Sequence, residues 1–208
     1  MASAKSLFPG LVALLVLMAP GGVFAANIVT LEIPGIPGDS TLNVAKGQID
    51  IQSFSFGATE PASTANGSGA TAGKPTISNL SVSKLEDRST VPLFAHLLKG
   101  TVIPAAVLTF WSSSPKGTLT ATYKIGLKNV TVTGQQQGGT TGGGEIAESV
   151  SFAFSDIAIL DIIGGGNDSV EYNVATGTVT GTGTGGKGST GSSFNWDITN
   201  LNALTAGN

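Results

Sequence analysis

Histidine occurs once in this 208-residue chain, at His96, and cysteine does not occur. A zinc site or a nucleophile–base pair needs at least two converging groups. His96 has no second His and no Cys to share a metal or activate a nucleophile, so it reads as a surface or interface histidine. Without cysteine the chain forms no disulfide, no thiolate nucleophile and no Cys-based metal site. Two carboxylate pairs, Glu145/Glu148 and Asp156/Asp161, have the residue types for acid–base work. Nothing in the sequence gives either pair a pocket or a pKa-shifting neighbour, and they read as solvated strand and loop positions. Serine is plentiful, but no G-x-S-x-G elbow presents one as a nucleophile.

Gly181, Gly183 and Gly186 spell G-x-G-x-x-G. A dinucleotide site needs a preceding strand, a following helix and a βαβ unit around those glycines. Here they alternate with Thr and run into Lys187-Gly188-Ser189, which does not start a helix. The segment reads as a hairpin end. Gly164-Gly165-Gly166-Asn167-Asp168 is similar to a calcium-binding glycine/aspartate turn, but it occurs once, without the repeat such sites require. It reads as a hairpin loop. N-x-[ST] acceptors stand at Asn66, Asn79, Asn129 and Asn167 and matter only in a host that glycosylates.

The elements around these residues begin with a leader. Lys5 is the sole charge before Glu32, the run Leu11 to Met18 is apolar, and Pro20-Gly21-Gly22 breaks it. Val23-Phe24-Ala25 supplies the cleavage positions. This predicts a secretory signal peptide over 1–25, cut after Ala25, with an apolar core short of the roughly 20 residues of a membrane span. Removing Lys5 takes the mature chain one unit below the −3 of the whole sequence. A mildly acidic chain with 11% charged residues lacks the basic stripe that nucleic acid requires. It also lacks a basic amphipathic helix for a membrane surface. Such a charge-poor surface suits packing against other protein.

The mature chain reads as short strands separated by Gly-, Pro- and Asn-rich turns. Strands are predicted over Asn27 to Ile33, Gln48 to Gly57, Thr76 to Glu86, Ala105 to Ser112 and Thr118 to Thr133. Further strands follow over Glu145 to Ile162, Val170 to Thr182 and Phe194 to Ile198. Leu80 and Val82 alternate against Ser81 and Ser83, and Val150, Phe152 and Phe154 share a parity. Long polar loops are predicted over Glu60 to Lys74 and Gly134 to Gly144. One helix follows Ser89 or Thr90 as cap, with Pro92 in its first turn and Lys99 in its last. Gly100 ends it. Val91, Phe94 and Leu98 share one helical face. About eight strands and one helix predict a mainly β domain over 26–208, a closed or nearly closed antiparallel barrel flanked by the helix, with a Gly/Thr-rich hairpin over 162–208.

Five ordered segments carry a resemblance. Ile49-Asp50-Ile51-Gln52-Ser53-Phe54-Ser55-Phe56-Gly57 is the first, with Phe56 where the pattern has Trp. Gly73-Lys74-Pro75-Thr76-Ile77-Ser78-Asn79-Leu80-Ser81-Val82-Ser83-Lys84 with Asp87-Arg88-Ser89 is the second. The helix with Gly100 to Leu108 is the third, and Glu148-Ser149-Val150-Ser151-Phe152-Ala153-Phe154 the fourth. Phe194-Asn195-Trp196-Asp197 with Asn200 is the last. Together they resemble the haemolysin-coregulated protein (Hcp) family, the inner-tube proteins of bacterial type VI secretion systems.

The resemblance implies a two-sheet antiparallel β-barrel with one flanking helix, in a non-enzymatic structural protein whose partner is itself. Hexameric rings would stack into a tube that carries secreted effector cargo. The loop after the early strand, including Ala58, Thr59, Glu60, Asn66 and Gly73, would join stacked rings. No cofactor is implied. The leader departs from the family, whose tubes assemble in the cytoplasm, and predicts a secreted or periplasmic location. The alternative is a monomeric secreted β-barrel binding module for a carbohydrate or cell-surface ligand. Trp111 or Trp196 exposed in a groove would favour that alternative, and their burial beside apolar edges would favour assembly.

Overall fold

The computed structural model describes residues 27–63, 71–72, 74–114, 116–163 and 168–181. The leader, its cleavage site at Ala25, and the last predicted strand with Trp196 lie outside them. The described residues hold fourteen strands. The first three are β1 (Asn27–Glu32), β2 (Ile49–Ile51) and β3 (Ser53–Ser55). Four two-residue strands follow: β4 (Ala58–Thr59), β5 (Ala62–Ser63), β6 (Thr71–Ala72) and β7 (Thr76–Ile77). After β8 (Leu80–Leu85) and α1 (Thr90–Lys99) come β9 (Ile103–Ser113), β10 (Leu119–Gly138) and β11 (Ala147–Ala153). β12 (Asp156–Asp161), β13 (Asp168–Asn173) and β14 (Val179–Gly181) complete the set.

Every pairing is antiparallel. One sheet runs β2-β1-β9-β10-β12-β13-β14 and the other β10-β11-β8-β3. β10 serves both: its first half pairs with β9 and β12, and from Thr131 it pairs with β11. The crossing is at Asn129, whose φ of 49° is the only positive value of a described non-glycine residue. Asn tolerates this left-handed conformation better than most residues, and its Nδ2 donates to Ser155 Oγ at 2.9 Å. Register shifts at Ala121/Tyr123 and Val132/Gly134 bend the strand further. Alternation along the strands then fills the space between the sheets with Leu31, Ile49, Leu80, Val82, Leu108, Ile125, Leu127, Val150 and Phe152.

The result is a two-sheet barrel that does not close. β2 and β3 separate at Gln52, whose N–H reaches Ser83 O at 2.8 Å, and β12 to β14 extend the first sheet past β10. Residues 33–48, between β1 and β2, fold back on themselves and bury Ile33, Ile36 and Ala45. Gly38 is required there, because a Cβ would stand 2.4 Å from Gln48 O.

Five expectations change. Gln48 to Gly57 is two strands, β2 and β3, broken at Gln52, and Val170 to Thr182 is an antiparallel pair, β13 and β14. Glu60 to Lys74 is not simply a loop: β4 pairs β7 and β5 pairs β6, continuing the β3–β8 ladder into an arm. At each break the outgoing side advances three residues and the returning side four, a bulge each time. Gly134 to Gly138 belongs to β10, because Gln135, Gln136 and Gln137 pair with β11. Glu145 to Ile162 is two strands, β11 and β12, turned at residues 154–155.

Candidate assembly surfaces

α1 ends as expected, with Gly100 left-handed at φ 61° and its N–H on the last carbonyls. Its start differs. Ser89 holds the N-cap position without a side-chain cap. Its N–H and its hydroxyl both donate to Asp87 Oδ1. The reason is Lys84, which is only 1% exposed. Lys84 Nζ donates to Leu85 O and Asp87 Oδ1, each at 2.8 Å, and to Thr90 Oγ1 at 3.2 Å. Glu148 Oε2 lies 2.8 Å away, and Gln137 Nε2 donates to Glu148 Oε1 at 2.7 Å. Gln135 Nε2 adds a bond to Thr90 O. Two strands, the long strand β10 and the helix start are thus tied at one buried charged centre.

Glu148 is therefore no solvated position, and it is not brought together with Glu145, which is exposed. The signal was available in the parity. Lys84 follows Leu80 and Val82 at spacing two, and Glu148 precedes Val150 and Phe152 the same way. Alternation alone places both inside. Their burial is held by mutual pairing and hydrogen bonding, as a buried charge requires.

This anchoring fixes which side of α1 faces out. Leu93 is buried and Leu97 packs on the core. Val91, Phe94 and Leu98 do share a face, and it is solvent-facing, at 75, 47 and 72% exposure; Val102 continues it. His96 is half-buried beside it, with Nδ1 2.7 Å from Thr101 Oγ1.

A second apolar surface lies at the open mouth of the barrel. Phe54, Phe56, Phe110, Trp111 and Tyr123 line a groove of about 650 Å³ with Val29 and Ile163. Phe110 stacks edge-on to Phe54 at 5.0 Å and to Tyr123 at 5.3 Å, the favoured geometry for aromatic pairs. Trp111 is half-buried and its indole N–H donates to Thr30 Oγ1 at 2.9 Å. Thr30 in turn donates to Gln48 Oε1 at 2.6 Å. Burial, with Asp161 opposite, raises the Tyr123 phenol above its ordinary range.

The arm is the third surface. Ala58, Thr59 and Glu60 are exposed on its outgoing side; Asn66 and Gly73 lie outside the described residues. Its root is tied to the turn after β13, with Lys74 Nζ on Ala175 O at 2.8 Å and Tyr172 Oη on Pro75 O at 3.1 Å.

The remaining sequence candidates stay apart. Asp156 accepts from Ser155 Oγ and Asn173 Nδ2, whereas Asp161 accepts from the Ile163 N–H. Of the G-x-G-x-x-G glycines only Gly181 is described, in β14. Of the glycine/aspartate turn only Asp168 is described, opening β13. On the surface, Arg88 pairs with Asp39, and its hydrogen bonds hold the Asp39 carboxyl below its ordinary pKa.

The fold is that of Hcp1 from Salmonella typhimurium, which matches at 23% identity and a TM-score of 0.64 over 74% of this chain and 99% of that one. A type six secretion system protein matches at 21% identity and a TM-score of 0.67, over 74% of this chain and all of its own. A type VI secretion system effector from Yersinia pestis matches at 17% and 0.59, over 70% of this chain and 99% of that one. Comparison with curated proteins finds no match. The family model described as "Type VI secretion system effector, Hcp" matches residues 30–160, more than half of the sequence, and the chain therefore belongs to the Hcp family of type VI secretion proteins.

Proposed function

We propose that the protein is an exported structural component that assembles with its own copies into hexameric rings, which stack into a tube able to carry effector cargo. The observation that carries this reading is the outward face of α1. Val91, Phe94 and Leu98 stand exposed on a helix whose other side is locked to the barrel. Exposed apolar patches on a rigid element mark protein interfaces. A chain with 11% charged residues meets its copies with little charge to desolvate. A closed ring needs a head-to-tail interface whose rotation closes. The exposed arm supplies a contact for stacking, through Ala58, Thr59 and Glu60.

Export follows from the leader, and among the described residues no helix is long and apolar enough to cross a membrane. The ligand-binding alternative was tied to Trp111 or Trp196 exposed in a groove. Trp111 lines the aromatic groove half-buried, with its N–H on Thr30, and Trp196 lies outside the described residues, so the two readings are separated by the oligomeric state.

Purified residues 26–208, weighed by light scattering and imaged by negative stain, test the reading. A ring of about six protomers is expected. A monomer at high concentration, with no rings on the grid, overturns it and transfers the assignment to a ligand-binding module.

A further inference from the structure

We propose that the apolar face of α1 in one copy seats in the aromatic groove of the next, so that helix and groove are the two halves of one head-to-tail interface. This rests on the self-assembly reading and names the faces that meet. The two surfaces are separate. α1 is held to β10 by Gln135, and the groove residue Phe54 stands three strands away on the same row of the second sheet, through Val150 and Val82, about 14 Å at ordinary strand spacing. The row Val91, Phe94, Leu98 faces solvent, away from Leu93 and Leu97 on the core side. Pairing helix and groove between copies leaves a free helix and a free groove at the ends. That geometry either closes into a ring or continues.

The occupant is argued from chemistry as well as placement. The groove, lined by Phe54, Phe56, Phe110, Trp111, Tyr123 and Ile163, carries no charged residue, and neither does the row Val91, Phe94, Leu98. Their borders are complementary. Asp161 and Asp168 face each other across β12 and β13 next to Ile163, a like-charge pair that costs stability unless something positive approaches. α1 has no acid in its first turn and ends in His96 and Lys99. A convex apolar row with a basic end thus meets a concave apolar groove with an acidic lip. Complementary charge of this kind fixes orientation and partner.

The test uses two variants of the mature chain. Leu98→Glu places a charge on the helix face and Ile163→Lys places one at the groove. Both positions are about two-thirds exposed or more, so both variants should keep the wild-type circular dichroism and melting curve. Should Leu98→Glu lose either, Val91→Glu takes its place. Each variant alone is expected to run as a monomer, with half-association shifted at least tenfold in concentration. An equimolar mixture is expected to give a one-to-one dimer and stop there. The Leu98→Glu copy still has a sound groove and the Ile163→Lys copy a sound helix face. A mixture that stays monomeric overturns the pairing of these two faces. Wild-type mass in both variants also overturns it, and assigns the groove to an occupant other than a second copy. A wild-type protein that is itself monomeric fails the self-assembly reading, whereas oligomeric wild type with indifferent variants fails this inference alone.

Discussion

Lys84 is the residue on which the helix depends. Its ammonium serves Leu85, Asp87 and Thr90 and faces Glu148. Lys84→Met would leave the Glu148 carboxylate buried beside a methyl group, and such losses cost about 3–5 kcal/mol. Urea unfolding should show that fall. The double variant Lys84→Met/Glu148→Met should recover only part of it: the Glu148 charge goes with the lysine, but Asp87, also 2.8 Å from Nζ, keeps its charge with only the Ser89 donors. The exposed pair behaves differently. Arg88 lowers the Asp39 pKa through side-chain and backbone hydrogen bonds. A depressed carboxylate adds stability above its ordinary value of 3.8 and loses it as pH falls through the lowered folded value. Asp39→Asn should therefore flatten the acid limb of stability against pH. The effect should be small and should vanish in high salt, because both partners face solvent.

At the scale of elements, the arm and the helix divide what the sequence could reveal. α1 was legible to its ends, because Pro92, Lys99 and Gly100 each have one physical use at those positions. Its orientation was not. Val91, Phe94 and Leu98 look like a core face until the Lys84 centre is known to hold the opposite side inward. The arm was illegible for another reason. Its ladders are two residues long, and small side chains such as Ala58 and Thr59 give no alternation to read. Of the described β4 and β7 residues only Ile77 packs on the core, so the periodicity that marks β8 and β11 is missing. This also predicts what the arm contributes. Replacing residues 60–74 by Asn-Gly should leave the thermal midpoint of the protomer nearly unchanged, because the ladder β3–β8 is retained. Rings should persist in negative stain while stacked tubes disappear. Loss of the rings themselves would place the arm in the ring interface instead.

For the whole molecule, the organising feature is a single strand shared by two sheets. β10 pairs with β9 over a local connection and with β12 soon after, contacts that form early because little chain is closed between them. β1 is the opposite case. It lies between β2 and β9, with Val29 facing Phe110 and Leu31 facing Leu108, so an interior strand comes from the start of the chain and pairs with a partner far along it. The barrel cannot be finished until that strand is in place. β1 begins at Asn27, immediately after the expected cleavage point at Ala25. We propose that a chain still carrying the expected leader has its last necessary piece held back and stays threadable during export. Refolding from urea should accordingly be slower for residues 1–208 than for residues 26–208, measured by stopped-flow fluorescence of the tryptophans. Equal rates would mean that the leader leaves β1 free. On this proposal the position of one strand in the order of the sheet would set when the protein folds: processing would be the timing signal, and maturation of the chain and of the fold one event.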